Sequence, residues 1–96
     1  MHRFTSLLLL LATALGQAEV QTRDVEYTDG GEVLSGFLAH DPSIAGKKPV
    51  VLIVHDWDGI TDYEKSRARQ LAQLGYVAFA VDVYGKNNRP KSMQEN

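Results

Sequence analysis

The sequence contains no cysteine in its 96 residues, which excludes disulfide bonds and a thiol nucleophile within the chain itself. It has no excess of basic residues either, since 10 Lys and Arg stand against 12 Asp and Glu. A nucleic-acid-binding surface needs a cluster of basic side chains, so the composition argues against that class of partner. Without disulfides, the stability of the chain must come from packing.

The first 18 residues have the three-part layout of a secretory signal peptide. His2 and Arg3 form a basic start, residues 7–15 are apolar, and the small residues Gly16 and Ala18 precede the predicted cleavage point. A retained membrane anchor is the alternative, but the apolar run is much shorter than the roughly 20 residues needed to span a bilayer. The sequence therefore predicts an exported protein, periplasmic or extracellular, with no membrane attachment after cleavage.

Two alternating stretches predict a β-hairpin. In residues 20–28, Val25 and Tyr27 alternate with polar residues, which is the pattern of a half-buried strand. The Asp-Gly-Gly sequence of residues 29–31 follows, and glycine accepts the positive φ that a tight turn requires. The partner strand is predicted over residues 32–40, where Gly36 indicates a bulge or a close backbone contact.

A third strand is predicted after a surface loop over residues 41–49. Residues 50–54, VVLIV, are an unbroken apolar run, which is typical of a strand buried on both faces in a parallel sheet. Residues 76–83, YVAFAVDV, have the same character. With a helix between them, the two strands form a βαβ unit with a right-handed crossover.

The intervening helix is predicted from its end signals. Thr61 and Glu64 have the spacing of a capping box, and Gly75 can end a helix in a left-handed conformation. These signals predict a helix over residues 62–74. Its apolar face is predicted to comprise Tyr63, Ala68, Leu71, Ala72 and Leu74.

The predicted order of strand, strand, strand, helix and strand belongs to the α/β class. Strands that are apolar on both faces need a cover on both faces, yet the sequence supplies one clear helix. The sheet is therefore expected to be incomplete, as in the N-terminal portion of a larger domain. Residues 89–96 are predicted to be a loop or a disordered tail.

A polar cluster follows the VVLIV run directly: His55, Asp56, Trp57, Asp58 and Gly59. Ligands and catalytic groups collect at the carboxyl ends of strands in open α/β sheets, so this cluster is the candidate site. No serine after residue 18 lies in a G-x-S-x-G elbow, and no complete catalytic triad can be assembled from the 96 residues. A calcium loop framed on Gly59 fails because Val54 and Lys65 fall where carboxylates are required.

Each candidate residue also has a structural interpretation. His55 is expected to form a hydrogen bond to a neighbouring loop, and Asp82 is expected to accept hydrogen bonds from loop amides. Asp56 could cap the loop or take part in chemistry. Trp57 could be a core or lid aromatic, although the backbone N–H of a residue at such a bend can point at an oxyanion.

The string PVVLIVHDWDGITDYEKSRARQLAQLGYVAFAVDVYG and the hairpin before it resemble the dienelactone hydrolase family, and in particular its exported members. The resemblance implies that residues 19–88 are the N-terminal part of an α/β-hydrolase three-layer sandwich. In that family an acidic residue, usually Glu, lies beside the cysteine nucleophile, and the next N–H helps to form the oxyanion hole. These roles fall on Asp56 and Trp57. Asp58 falls in the substrate pocket, where the family commonly has an aromatic residue.

The resemblance implies that the complete protein is an exported hydrolase of a small-molecule carboxylic ester or lactone, with no metal or organic cofactor. Its Cys or Ser nucleophile and the Asp and His of the triad are expected beyond Asn96, so the isolated chain is expected to be inactive. The alternative is a non-catalytic secreted binding or interaction module that kept the scaffold. The departures from the family pattern at Asp56 and Asp58 give this alternative some support, whereas the hydrolase is the leading hypothesis.

Overall fold

The structure is a computed structural model and describes residues 19–95. The predicted signal peptide, residues 1–18, lies outside the described residues. Four strands and one helix follow in the predicted order, with a short 3-10 turn, Met93–Glu95, in the predicted tail. They are β1 (Gln21–Asp29), β2 (Glu32–His40), β3 (Val50–Val54), α1 (Asp62–Gln73) and β4 (Val77–Val81).

The hairpin prediction is confirmed. β1 and β2 pair antiparallel along their whole length, from Gln21 opposite His40 to Asp29 opposite Glu32. Gly30 and Gly31 connect them with φ of 56° and 84°, the positive values that a two-residue turn requires. The pairing runs through Gly36 without a bulge, so Gly36 serves the other predicted purpose, a close backbone contact. A methyl group there would meet the Phe79 ring and lie 2.8 Å from the carbonyl oxygen of Ala80.

The four strands form one mixed sheet in the order β1-β2-β4-β3. β3 and β4 are parallel, as the βαβ prediction requires, and β4 is antiparallel to β2. β4 ends at Val81, two residues before the predicted end, because the Asp82 side chain takes the amide of Ser35 in place of a backbone pairing. In the order β1-β2-β4-β3, β4 is a central strand, and β1 and β3 are the two edge strands.

The capping box at the start of α1 is confirmed. Thr61 is the N-cap, and its hydroxyl accepts a hydrogen bond from the amide of Tyr63. The Glu64 carboxylate in turn accepts from the Thr61 amide and hydroxyl, both at 2.8 Å. Two orphan amides at the helix start are thereby satisfied. The helix ends at Gln73, one residue before the predicted end, and Gly75 follows with a φ of 99°.

The predicted apolar face of α1 is wrong at its two ends. Tyr63 is 58% exposed and Leu74 is 75% exposed. The sheet contacts the middle of the helix, where Ala68 and Ala72 are completely buried and Leu71 packs against the core. Tyr63, in the first turn, instead lies under the guanidinium of Arg67 on the solvent side.

The core lies between α1 and one face of the sheet. It contains small residues at the points of closest approach, together with two larger side chains: Phe37, Ala39, Ile60, Ala68, Ala72, Ala78 and Ala80. On the opposite face of the sheet, Val50, Leu52 and Val54 are 63%, 63% and 69% exposed. The expectation that one face lacks a cover therefore holds for the described residues. None of the helices within residues 19–95 is long and apolar enough to cross a membrane.

Candidate active site

The parallel strands β3 and β4 end side by side, in the register Val54 opposite Val81. The segment after β3 begins with His55, and the segment after β4 begins with Asp82. The two polar segments therefore lie side by side at the carboxyl ends of the parallel strands, where α/β proteins place their ligand sites. The cluster predicted as the candidate site, residues 55–59, therefore lies at the carboxyl end of β3, beside the end of β4.

Residues 56–59 form a tight turn that carries these residues. The Gly59 amide donates to the carbonyl oxygen of Asp56 at 3.1 Å, and Gly59 has a φ of 79°. Asp56 is exposed, whereas Trp57 and Asp58 are half-buried. No hydrogen bond joins the Trp57 amide to another residue within the described range. The turn brings Asp56, Trp57 and Asp58 together, while their chemical roles remain predictions.

His55 is buried and joins the two strand ends, as its structural interpretation predicted. Its Nε2 lies 3.1 Å from the amide nitrogen of Val83, and its Nδ1 lies 2.7 Å from the carbonyl oxygen of Asp56. An amide can only donate and a carbonyl can only accept, so the partners assign the proton to Nδ1. The imidazole also packs on the ring of Tyr84, with 4.9 Å between ring centroids. This residue fixes the base of the candidate turn.

Asp82 is a buried acceptor for loop amides, which is also as predicted. One carboxylate oxygen accepts from Ser35 at 2.9 Å, and the other accepts from Tyr84 at 3.0 Å and Gly85 at 3.1 Å. Burial raises the pKa of Asp82, but the amides of Ser35, Gly85 and Tyr84 together lower the pKa below its ordinary value. The carboxylate is therefore held ionised as a structural group.

Glu64 shows the same balance at the helix start. Burial raises its pKa, whereas the hydrogen bonds from the Thr61 amide and hydroxyl lower it, and the net pKa lies below the ordinary value. Both groups that donate to Glu64, the amide and the hydroxyl of Thr61, lie within the capping box. Glu64 therefore stabilises the junction between α1 and the loop that precedes it. We assign it no role in chemistry.

Two residues around the site were missed in the sequence. The Tyr27 hydroxyl donates to the carbonyl oxygen of Asp82 and accepts from its amide, both at 2.8 Å. The alternating pattern predicts Tyr27 as an apolar strand residue, but it does not predict which groups the Tyr27 hydroxyl contacts. Arg89 packs over Gly59, where a methyl group would lie 2.9 Å from its Cγ. It falls in the predicted tail, where nothing in the pattern marks a contact with the turn.

A small cleft of about 150 Å³ lies between the hairpin, α1 and the loop after β4, and none of the residues 56–59 lines it. Its wall combines apolar and charged side chains, including Phe37, Ile60, Lys65, Asp82 and Arg89. Lys65 also lies 5.4 Å from the centroid of the Phe37 ring. Residues 19–95 contain no group of three or more His, Cys, Asp or Glu side chains placed to hold a metal ion.

A mixed sheet with a parallel βαβ unit, and a candidate site at the carboxyl ends of its strands, places the chain in the α/β class. The sequence model of the dienelactone hydrolase family matches residues 34–96. The structure is similar to that of m3DLH, with a TM-score of 0.73 and 36% identity over 79% of this chain and 32% of that chain. The chain belongs to the dienelactone hydrolase family.

Two curated relatives agree with this membership. One is the Escherichia coli (strain K12) protein named "Putative hydrolase fragment YghX", which is 40% identical over 52 residues, or 54% of this chain and 44% of that protein. The other is the Bradyrhizobium sp protein named "Probable 2-oxo-3-(5-oxofuran-2-ylidene)propanoate lactonase", which is 32% identical over 66 residues, or 69% of this chain and 26% of that protein. The chain thus spans less than half the length of either relative.

Proposed function

We propose that the complete protein hydrolyses a carboxylic ester or lactone, and that this chain supplies the wall of its active site on the oxyanion side. The nucleophile, Cys or Ser, and the Asp and His of the triad would be encoded beyond Asn96. Membership of a hydrolase family supports the reaction class, and the name of the Bradyrhizobium relative, a probable lactonase, supports a lactone as one substrate. We further propose that the protein is exported, as the sequence of residues 1–18 predicts.

The observation that carries the proposal is the turn after β3. Ester and lactone hydrolysis passes through a tetrahedral intermediate, whose oxyanion needs N–H donors at about 2.7–3.1 Å. The Trp57 amide lies in the turn at the carboxyl end of β3 and donates to no other residue within residues 19–95. The hydrogen bonds of His55 and Gly59 hold the turn in place. An amide fixed in this way loses little entropy when it binds an oxyanion.

Asp56 is proposed as the acidic neighbour of the nucleophile. Its side chain is exposed beside the turn and forms no hydrogen bond or ion pair with the described residues. A carboxylate at this position can accept the proton of an approaching thiol or orient it, provided that the nucleophile enters from the side that this chain leaves uncovered. Asp58, half-buried on the same turn, is proposed to line the substrate pocket.

The test uses the full-length product of the downstream reading frame. It should contain a G-x-C-x-G or G-x-S-x-G elbow followed by Asp and His, and it should hydrolyse p-nitrophenyl acetate or a simple lactone. Asp56→Asn is expected to lower kcat/KM by about 10²-fold or more, the lower range for a group that assists proton transfer. Asp56→Glu restores the residue usual in the family and should recover most of the activity.

The matched control is Asp62→Asn, which changes another exposed carboxylate, in the first turn of α1, and should leave kcat/KM within about twofold of the parent. Equal rates for Asp56→Asn and Asp62→Asn would overturn the role of Asp56. An intact continuation without an elbow, or a full-length protein that turns over no ester, would favour the non-catalytic module. The isolated 96-residue chain is expected to show no turnover above buffer.

A further inference from the structure

We propose that removal of residues 1–18 creates an α-ammonium group on Glu19 that forms an ion pair with the buried carboxylate of Asp41. The processed protein would then be more stable than its precursor, in which the same nitrogen belongs to a neutral amide. The inference rests on the proposed export of the protein and not on the reaction that the protein catalyses.

The carboxylate of Asp41 is buried, and its two oxygens have different partners. Only 1% of Asp41 is exposed. Its Oδ1 accepts from the amide of Ser43 at 2.9 Å and from the hydroxyl of Ser43 at 2.5 Å. Its Oδ2 accepts from the backbone nitrogen of Glu19 at 3.3 Å, which is long for a hydrogen bond. Oδ2 is therefore the oxygen that can gain a stronger donor.

Asp41 keeps its negative charge although it lies away from solvent. The Ser43 hydroxyl lowers the pKa of Asp41, burial raises it, and the net pKa lies below its ordinary value. Lys48 is a nearby cation, but its Nζ donates to the backbone carbonyl oxygen of Asp41 at 2.6 Å. A buried charge is costly unless an opposite charge pairs with it. A cation at Glu19 would supply that partner at Oδ2.

Hydrolysis of the peptide bond between Ala18 and Glu19 creates this cation. Water supplies the second oxygen of the new carboxylate on Ala18, and its two protons go to the nitrogen of Glu19. Most α-amino groups are protonated at neutral pH. The nitrogen of Glu19 thereby changes from a neutral donor into an ammonium group with three N–H donors. Charge-assisted hydrogen bonds are shorter and roughly twice as strong as neutral ones.

The chain next to Glu19 holds its nitrogen beside Asp41. Val20 packs against the core, and β1 begins at Gln21, which pairs with His40 at the end of β2. The contact between Glu19 and Asp41 follows directly after this last strand pair. The new terminus is therefore already placed at the carboxylate, and pairing costs little conformational entropy.

The ion pair lies at the end of the sheet opposite the candidate active site. β1 runs antiparallel to β2, and β2 runs antiparallel to β4, so β1 and β4 run in the same direction. The start of β1 therefore lies toward the amino end of β4, whereas the candidate turn follows the carboxyl end of β3. Pairing of Glu19 with Asp41 should change the stability of the protein without changing its kcat/KM.

The experiment uses the full-length product of the downstream reading frame, secreted by a bacterial host. Mass spectrometry should find Glu19 as its first residue. The same protein is also prepared with Glu19 acetylated, which restores the neutral amide of the precursor. Acetylation should lower Tm by about 2–4 °C, the shift that the loss of one strong interaction causes in a protein of about 150–250 residues. The kcat/KM for p-nitrophenyl acetate should stay within about twofold, because the ion pair is remote from the candidate turn.

Asp41→Asn separates the ion pair from any other effect of acetylation. In this variant the opposite charge is absent, so acetylation should change Tm by less than about 1 °C. Asp29→Asn is the matched control, because it removes an exposed carboxylate at the other end of β1, and acetylation should still lower Tm as in the parent. Should Asp41→Asn fail to fold, a chain that begins at Gln17 keeps Asp41 and has an amide at Glu19, and it should melt with the acetylated parent.

The inference is overturned if the protein is not secreted or if its first residue is not Glu19. It is also overturned if acetylation changes the Tm of the parent by less than about 1 °C, or changes the parent and Asp41→Asn equally. A chain beginning at Gln17 that melts with the unacetylated parent has the same meaning. Ester turnover is a separate readout: a protein that shows the difference in Tm but hydrolyses no ester keeps the ion pair and contradicts the proposed hydrolase.

Discussion

The two faces of the sheet contrast sharply although they are formed by the same strands. On the face toward α1, Ala39, Ala78 and Ala80 have no exposed surface. On the other face, the larger Val50 and Leu52 are more than half exposed. Small residues are buried and large apolar residues are exposed because burial depends on whether a neighbouring layer is present. The exposed apolar side chains thus mark the face of the sheet that no layer within residues 19–95 covers.

The largest expected effect is on the covered face. Phe37 is 5% exposed, and truncation by Phe37→Ala should lower the free energy of unfolding by about 3–5 kcal/mol, because it leaves a cavity beneath α1. That loss is comparable to the whole stability of so small a core. Urea denaturation followed by circular dichroism measures it. Tyr63→Ala, at an exposed aromatic residue of α1, is the control and should cost about 0.5 kcal/mol or less. Similar losses in both variants would contradict the burial of Phe37 beneath α1.

Gly36→Ala tests a close contact on the uncovered face of the sheet, where Gly36 lies against Phe79. The added methyl group would meet the Phe79 ring and lie 2.8 Å from the carbonyl oxygen of Ala80, so we expect a loss of about 1–3 kcal/mol in the free energy of unfolding. Adding Phe79→Leu relieves the ring contact and should recover only part of the loss. Without the close contact, alanine would stabilise a strand position relative to glycine. A more stable Gly36→Ala variant would therefore refute the close approach.

Asp82→Asn tests the junction of the sheet edge and the loop after β4. Hydrogen bonds to a charged acceptor each contribute more than neutral ones, and we expect a loss of about 1.5 kcal/mol near pH 7. The pKa of Asp82 is lower in the folded state than its ordinary value, so its contribution is complete above that value and is lost as the pH falls through the folded-state pKa.

The difference in stability between Asp82→Asn and the parent should therefore narrow below about pH 4. Urea titrations at about pH 7 and about pH 3 measure it. Asp29→Asn, at an exposed position of β1, serves as the control and should follow the parent at both values. A difference that stayed constant between the two pH values would rule out a carboxylate held ionised by the loop amides.

The smallest effect is expected at the exposed side chains. Leu52→Ser should change the free energy of unfolding of the 96-residue chain by about 0.5 kcal/mol or less, because little of Leu52 is buried. The same substitution in a full-length protein should cost several times more, because there the side chain would enter a second core. Paired urea titrations measure both values. Equal costs in the two proteins would mean that no layer covers this face.

The sequence predicted the elements whose signals are local. The alternation of β1, the Gly30-Gly31 turn and the pairing of Thr61 with Glu64 each act within a few residues, and all are confirmed. The exposure of Tyr63 and Leu74 could not be predicted, since it depends on where the sheet contacts the helix. The same holds for the site. The turn of residues 56–59 was located, whereas the contacts of Tyr27 and Arg89 arise only when distant segments meet.

The two hydrogen bonds of His55 have a mechanical consequence. Because one imidazole joins the carbonyl oxygen of Asp56 to the amide of Val83, a shift of one of the loops after β3 and β4 without the other would break a hydrogen bond. A ligand that displaced one loop would move the other with it, and a substitution at position 55 would let the two loops move separately. The two loops at the rim of the candidate site are therefore coupled through the imidazole of His55.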